Sequence, residues 1–154
     1  LARNTMLRIG RNLFVHSGLS ARLLERDLEI ETLNARMSEG LYRTSKERRE
    51  DPTLEFLYRS AGPVWYRGMV CADEKYDPLT PEQTGALLRR YDADRLLVGH
   101  TIFPDISTFH DGRVIAVNVQ NDLNRRKNRG RAVLIEGSRI LVVGNRGVKR
   151  VLEE

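Results

Sequence analysis

The sequence predicts a mixed α/β protein, and three observations carry this prediction. Short apolar runs typical of buried strands, such as "NLFV" and "RLLV", stand beside stretches in which apolar residues recur at helical spacing. Glycines and turn pairs such as Asp111-Gly112 separate these stretches. The length of 154 residues suits one domain, and a hydrophobic content of 40% is enough to build a core.

The first part of the chain is predicted as two strands followed by helices. "MLRIG" and "NLFVH" read as strands around a turn at Gly10-Arg11. Ser20 is expected to cap one helix that runs to about Met37. Five apolar residues share one face of that helix: Leu19, Leu23, Ile30, Leu33 and Met37. Asp51-Pro52 is typical of the start of a second helix, and residues 41–51 are expected to form a charged, mobile connection.

The second part is predicted to return to strands. An irregular segment, "GPVWYRG", lies between Gly62 and Gly68. Residues 80–83, "TPEQ", have the pattern of a capping box, which predicts a helix that reaches about Tyr91. "RLLVGH" is predicted as a buried strand. Two hairpins follow, "ISTFHDGRVIAVNV" with its turn at Asp111-Gly112, and "RAVLIEGSRILVVG".

Charge and cysteine content limit the function classes. A formal net charge of +5 permits nucleic acid, anionic membrane or phosphorylated partners and selects none of them. Cys71 is the only cysteine, which excludes an intrachain disulfide and a cysteine-rich zinc site. No apolar run has the length of a transmembrane helix, and no signal-peptide core is visible, so a cytoplasmic location is favoured.

Two histidines follow apolar strands, and each has a glycine nearby. His16 ends "LFVH" and His100 ends "LLVGH". Binding groups of α/β proteins gather at the carboxyl ends of strands, so the two imidazoles are predicted to converge. Neutral imidazole binds zinc, manganese or iron, which makes a metal site one interpretation. The other is that both are ordinary hydrogen-bonded histidines, while His110, beside a hairpin turn, is expected to be exposed.

The segment "GPVWYRG" ends in Arg67-Gly68. A guanidinium offers a planar fork that binds two phosphate oxygens, and a glycine beside it removes steric obstruction. Arg67 is therefore a candidate phosphate-binding residue. The competing interpretation is a tight turn that carries a surface arginine.

Taken in order, "VHSGL", "VWYRG", "VGHT" and "FHDGRVIAVNV" resemble the calcineurin-like metallophosphoesterases, in the bacterial branch similar to phosphoprotein phosphatases. The resemblance covers about residues 5–120. It implies the C-terminal half of a four-layer α/β/β/α sandwich, an α/β fold whose mixed sheet has flanking helices. It also implies two divalent metal ions of manganese, iron or zinc, with His16 and His100 as ligands of one of them. Arg67 would bind the phosphate.

The implied activity is metal-dependent hydrolysis of phosphomonoesters, with phosphorylated proteins as the favoured substrates. The sequence departs from the family in one large respect, since its "GDxHG", "GDxxDRG" and "GNHE" segments, which supply most metal ligands and the general acid, do not occur. Residues 1–154, starting at Leu1, are therefore expected to be the C-terminal half of one domain. The partner would be the N-terminal half of the same enzyme. Alone, this chain is expected to be inactive and to expose an apolar face. Two smaller departures are Ser17 in place of a glycine and Asn118 in place of a frequent aspartate.

Two alternatives remain at this point. One is a non-catalytic basic binding module built on "NRRKNRGR", a run with five cations: Arg125, Arg126, Lys127, Arg129 and Arg131. A solvated loop is the favoured interpretation of that run, so nucleic acid is not the expected partner. The other alternative is an interaction protein derived from an inactive phosphatase. Within the phosphatase interpretation, the charged segment from Tyr42 to Asp51 could contribute to substrate selection.

Overall fold

The computed structural model describes residues 4–152 apart from the side chain of Asn121, so Leu1 lies outside the described residues. The strands are β1 (Met6–Ile9), β2 (Asn12–Val15), β3 (Arg95–Val98), β4 (Ser107–Phe109), β5 (Val114–Ala116), β6 (Ala132–Glu136), β7 (Arg139–Val143) and β8 (Lys149–Val151). The α-helices are α1 (Arg22–Arg26), α2 (Ile30–Gly40), α3 (Ser45–Arg49), α4 (Pro52–Tyr58), α5 (Pro81–Arg90) and α6 (Asn121–Arg126). The architecture is mixed α/β, as predicted, and none of the described helices has the length and apolarity needed to cross a membrane.

The larger sheet is mixed and has the strand order β1-β2-β3-β5-β4. Its three inner strands are parallel, and each edge strand is antiparallel to its neighbour. In the register between β2 and β3, Val15 faces Val98. Both strands therefore end at the same edge of the sheet, and the residues that follow them are brought together there.

One face of this sheet packs against helices. Leu13 and Val15 of β2 and Leu96 and Val98 of β3 belong to one buried cluster, which also takes residues from α1, α2, α4 and α5. Alternate residues of a strand point to one face, which is why these four side chains share it. The burial of this cluster fixes the two strands whose ends carry the candidate histidines.

The second face is covered only in part, by a three-stranded sheet of order β6-β7-β8. Ile115 and Leu97 are buried in a cluster that includes β7 residues. The same row of side chains continues across the register through Phe14 to Leu7. The smaller sheet does not cover β1, because Leu7 is 42% exposed and Ile9 is 60% exposed. We call Leu7, Ile9 and Phe14 the open apolar face.

The predicted hairpins and two of the predicted helix starts are confirmed. β4 pairs with β5 and β6 with β7, both antiparallel. Asp51 accepts hydrogen bonds from the backbone N–H groups of Thr53 and Leu54, which caps α4. Thr80 and Gln83 form the expected capping box of α5.

The single helix predicted from Ser20 to Met37 is wrong. Two helices, α1 and α2, occupy this stretch, and the chain turns between them at Asp27, whose φ is +46°. Ser20 does not cap a helix, because its hydroxyl donates to the carbonyl oxygen of Ala61 at 2.9 Å. Apolar residues at helical spacing continue across the break because both helices pack on the same core.

The mobile connection predicted for residues 41–51 is also wrong. This segment contains α3, whose first turn has a reciprocal capping box between Thr44 and Glu47. Arg36 of α2 forms ion pairs with Glu39 and with Asp51, so the segment is tied to both α2 and α4. Charged residues here stabilise local structure, whereas charge alone had suggested a solvated loop.

Candidate active site

His16 and His100 lie where β2 and β3 end, and their rings converge as predicted. The backbone N–H of Gly99 donates to the carbonyl oxygen of His16 at 2.9 Å, which continues the pairing of the two strands past their ends. The Nε2 atom of His16 is 3.0 Å from Nδ1 of His100. The ring centroids are 5.0 Å apart.

A tight turn sets the direction of the His100 ring. The backbone N–H of Thr101 donates to the carbonyl oxygen of Gly99 at 2.6 Å, and His100 between them has a φ of +59°. A left-handed conformation is costly for a residue with a side chain, and it persists where the surrounding structure enforces it. Gly99 suits the preceding position, because a Cβ there would come within 3.2 Å of the His16 carbonyl oxygen.

The segment "GPVWYRG" packs on the turn that follows His16. Ser17 donates its backbone N–H to the carbonyl oxygen of Pro63 at 3.0 Å and its hydroxyl to that of Tyr66 at 2.5 Å. A Cβ on Gly68 would lie 2.2 Å from the Tyr66 hydroxyl oxygen and 2.5 Å from the Asp77 carbonyl oxygen. Glycine is therefore required there by close packing, and the packed segment holds Arg67 against the histidines.

Arg67 contacts His100 directly. Its Nη2 atom is 3.1 Å from Nε2 of His100. A guanidinium only donates, so Nε2 accepts, and the proton of neutral His100 is on Nδ1, from which it is donated to His16. Burial, followed by the charges of Arg67 and His16, lowers the pKa of His100 and favours this neutral form.

Two aromatic side chains flank this contact. The Trp65 ring meets the His100 ring edge-on, with centroids 5.5 Å apart, and Trp65 is 54% exposed. The guanidinium carbon of Arg67 lies 5.6 Å from the centroid of the Tyr76 ring. Trp65 thus forms an exposed rim next to the histidines, and Tyr76 supports Arg67 from its other side.

His16, His100 and Trp65 open onto a cleft of about 890 Å³ whose far walls are α2, α3 and α4. We call it the α3 cleft. Three arginines line it, Arg48, Arg49 and Arg59, with Glu55 as the acidic residue. A second cleft of about 820 Å³ shares Arg59 and Trp65 with the first and contains Arg67. Arg48 and Arg49 belong to the charged segment that was considered for substrate selection, whereas Arg59 was not singled out. The approach of all three to the histidines depends on the packing of α3 and α4.

Two other sequence features lie away from this site. His110 is half-buried, not exposed as expected, and its ring nitrogens lie 3.0 Å from the Met69 carbonyl oxygen and 3.3 Å from the Thr84 hydroxyl oxygen. Arg125 and Arg126 of the basic run are exposed on α6. Arg131 forms an ion pair with Asp105 at 2.7 Å, so at least this member of the run has a structural role.

The histidine pair fits two ligands of one cation. Two nitrogens about 2.0–2.1 Å from a zinc-sized ion lie roughly 2.8–3.4 Å apart for ligand angles between a right angle and the tetrahedral value. The observed 3.0 Å falls in this range. Among residues 4–152 no group of three or more His, Cys, Asp or Glu side chains is placed to hold a metal ion. A third His, Cys, Asp or Glu ligand would have to come from outside the described residues.

Comparisons with known proteins identify a shared fold. No protein-family model matches the chain, and no curated protein matches it in sequence. Among solved structures, a cold-active protein tyrosine phosphatase is similar over 99% of this chain, with a TM-score of 0.86 and 26% identity. A cold-active protein-tyrosine phosphatase of the psychrophile Shewanella sp. is similar over 98% of this chain, with the same TM-score and 25% identity. This chain spans 43% of the length of each, and both of these solved structures are phosphatases.

Proposed function

We propose that this chain is the C-terminal part of a metal-dependent phosphatase that hydrolyses phosphomonoesters, with phosphorylated proteins as its substrates. The proposal includes a two-metal site that a segment outside this chain completes. The observation that carries it is the line of contacts from His16 through His100 to Arg67 at the carboxyl edge of the sheet. Two paired imidazoles beside a guanidinium provide metal ligands next to a phosphate-binding group.

The chemistry of the donor set supports manganese, iron or zinc at this position. The nitrogens His16 Nε2 and His100 Nδ1 face one another, and neutral imidazole is a ligand for all three metals. Such ions, when bound in pairs, activate a water molecule as nucleophile and polarise the phosphate oxygens. Arg67 would hold the phosphate, since its fixed positive charge cannot ligate a cation and its fork matches two phosphate oxygens.

The open apolar face supports the part of the proposal that concerns a completing segment. Leu7 and Ile9 are exposed on β1, whereas Leu97 and Ile115, farther across the same face, are buried. Each square ångström of apolar surface left in water costs about 25 cal/mol, so a covering segment would stabilise this edge. The 43% coverage of the cold-active phosphatases is consistent with such a segment, because their chains are longer than this one.

The name of those solved structures favours phosphotyrosine among the possible phosphoresidues. The exposed Trp65 beside His100 is compatible with an aromatic substrate, because aromatic rings stack or meet edge-on at distances such as those seen here. An assay that compares kcat/KM for phosphotyrosine peptides with that for phosphoserine and phosphothreonine peptides would test this preference.

The test is complementation. The purified chain, supplied with Mn²⁺, Fe²⁺ or Zn²⁺, should hydrolyse p-nitrophenyl phosphate and phosphopeptides no faster than a protein-free control. The full-length protein that contains it should hydrolyse both and should lose this activity on chelation. Metal-independent turnover by the full-length protein would contradict the metal site, and turnover by the chain alone would contradict the need for a completing segment. A full-length protein that binds metal but hydrolyses nothing would favour the interaction-protein alternative.

A further inference from the structure

The α3 cleft carries more positive charge than its own carboxylates neutralise. Its lining has Arg48, Arg49 and Arg59 against Glu55. The one carboxylate is partly engaged, since Glu55 lies 3.5 Å from Arg59 along the same helix. The histidines at the inner end of the cleft add no neutralising charge.

Three acidic residues around α3 have other partners, and Glu50, which ends the helix, does not line the cleft. Glu39 pairs with Arg36 and with Arg43, and Asp51 pairs with Arg36. Glu47 accepts hydrogen bonds from the backbone N–H and the hydroxyl of Thr44, in the capping box. Within residues 4–152 no ion pair involves Arg48 or Arg49. Among the described residues, Glu55 is the carboxylate that shares the cleft with them.

Both arginines are held in place although they lack ionic partners. The guanidinium carbon of Arg48 lies 4.4 Å from the centroid of the Tyr58 ring, and the Tyr58 hydroxyl donates to the Met37 carbonyl oxygen. Nε of Arg49 donates to the carbonyl oxygen of Ser45 at 3.1 Å. A cation that is already oriented loses less conformational freedom when it binds an anion. The cleft is thus a preorganised anion-binding subsite that begins beside the histidines.

We propose that the α3 cleft binds an acidic stretch of polypeptide next to the phosphorylated residue, so that the enzyme selects phosphopeptides with flanking aspartate or glutamate. This inference rests on the proposed phosphatase function. The volume of about 890 Å³ exceeds the needs of a phosphate group at His100 and leaves room for several flanking residues, and Arg67 lines the adjoining cleft that shares Arg59 and Trp65 with it. Charge complementarity favours acidic flanking residues. Trp65 and Tyr58 line the same cleft and can contact the apolar parts of the peptide.

Two octapeptides with a central tyrosine test this, one with glutamate and one with glutamine at the flanking positions. Binding of the unphosphorylated, fluorescently labelled peptides to the full-length protein is measured by anisotropy. The phosphorylated forms then give kcat/KM values. The glutamate peptide should be preferred in both measurements, and added salt should reduce the preference. The variant R48Q/R49Q should reduce it by about twofold to twenty-fivefold, since each of two exposed ion pairs contributes about 1.4-fold to fivefold. The control R125Q/R126Q removes the same charge from α6 and should keep the preference.

Equal kcat/KM values for the two phosphopeptides, in a protein that hydrolyses p-nitrophenyl phosphate, would overturn the inference and leave the proposed function standing. Absence of all hydrolysis would overturn the proposed function. The anisotropy data then decide the cleft separately, since binding that depends on Arg48 and Arg49 supports it and equal binding of both peptides overturns it. A single-stranded oligonucleotide that binds more tightly than the glutamate peptide and requires the same two arginines would also overturn it.

Discussion

Arg67 donates to Nε2 of His100 at 3.1 Å, and this contact determines where the imidazole keeps its proton. With Nε2 accepting, Nδ1 carries the hydrogen and points at His16. In the proposed metal-bound form, His100 would use Nδ1 as a ligand and carry its proton on Nε2, which could then no longer accept from Arg67. The proposed function would therefore link metal binding to release of the guanidinium toward a phosphate.

The contact predicts the titration of His100 in the metal-free protein. Its pKa should lie below the ordinary histidine value, because burial and the neighbouring charges of Arg67 and His16 disfavour the imidazolium. Arg67→Ala should raise this pKa toward its usual range, and NMR titration of the ring protons measures both values. The control is Arg125→Ala, which removes an exposed arginine on α6. In that variant the pKa of His100 should equal the value in the parent protein. A His100 pKa that is unchanged by Arg67→Ala would contradict the contact.

The same shift has a consequence for stability. The folded state binds the His100 proton less readily than the unfolded state, so the unfolded state holds more protons when the pH is below about 6.5. The contribution of neutral His100 is therefore fully present above that pH and is lost as the pH falls. The free energy of unfolding, measured by urea denaturation, should decline as the pH is lowered from 7 to 5. This decline should be smaller in His100→Gln.

Metal retention separates the proposed ligands from a structural histidine. His16→Ala and His100→Ala should each lose bound metal and activity in the full-length protein, because each removes one of two facing nitrogens. His110→Ala is the matched control, since His110 bonds to Met69 and Thr84 and should affect stability without affecting metal content. Elemental analysis after gel filtration gives the metal-to-protein ratio. Normal ratios in both site variants would return His16 and His100 to the class of structural residues.

The sequence predicted the elements that local chemistry determines. Short apolar runs indicated the strands, and the Thr80 capping box and Asp51-Pro52 indicated two helix starts. The histidines were predicted to converge because two parallel strands that end together must bring their next residues together. The break at Asp27 was missed, since helical spacing continues across it. The helix α3 and its cleft were missed because ion pairs such as Arg36–Asp51 join residues 15 positions apart, and no local pattern reveals them.

Gly68 should be intolerant of even one added carbon. In Gly68→Ala the new Cβ would meet the Tyr66 hydroxyl and the Asp77 carbonyl at distances no real contact has, so the backbone that carries Arg67 must move. We expect a loss of about 1–3 kcal/mol in the free energy of unfolding, as for other overpacked positions, together with reduced turnover. In Gly144→Ala, the control, nothing in the structure lies closer than 3.6 Å to the new Cβ. Equal stability of the two variants in urea denaturation would contradict this account of the loop.

Arg67→Ala in the full-length protein should lower turnover strongly and leave metal content nearly unchanged. Arginine stays positive at every working pH and cannot ligate a cation, so its place is against the outer oxygens of the phosphate. Its hold should strengthen as charge shifts in the transition state, and removal of one such donor typically costs on the order of 2.7–4 kcal/mol, or about a hundredfold to a thousandfold in kcat. Arg67→Lys should recover only part of this loss, because an ammonium cannot make the two-pronged contact. Steady-state kinetics and elemental analysis on the same preparations measure both quantities. Near-normal turnover in Arg67→Ala would show that the contact of Arg67 with His100 is structural. Loss of metal in the same variant would show that Arg67 supports the histidine ligands and does not bind the phosphate.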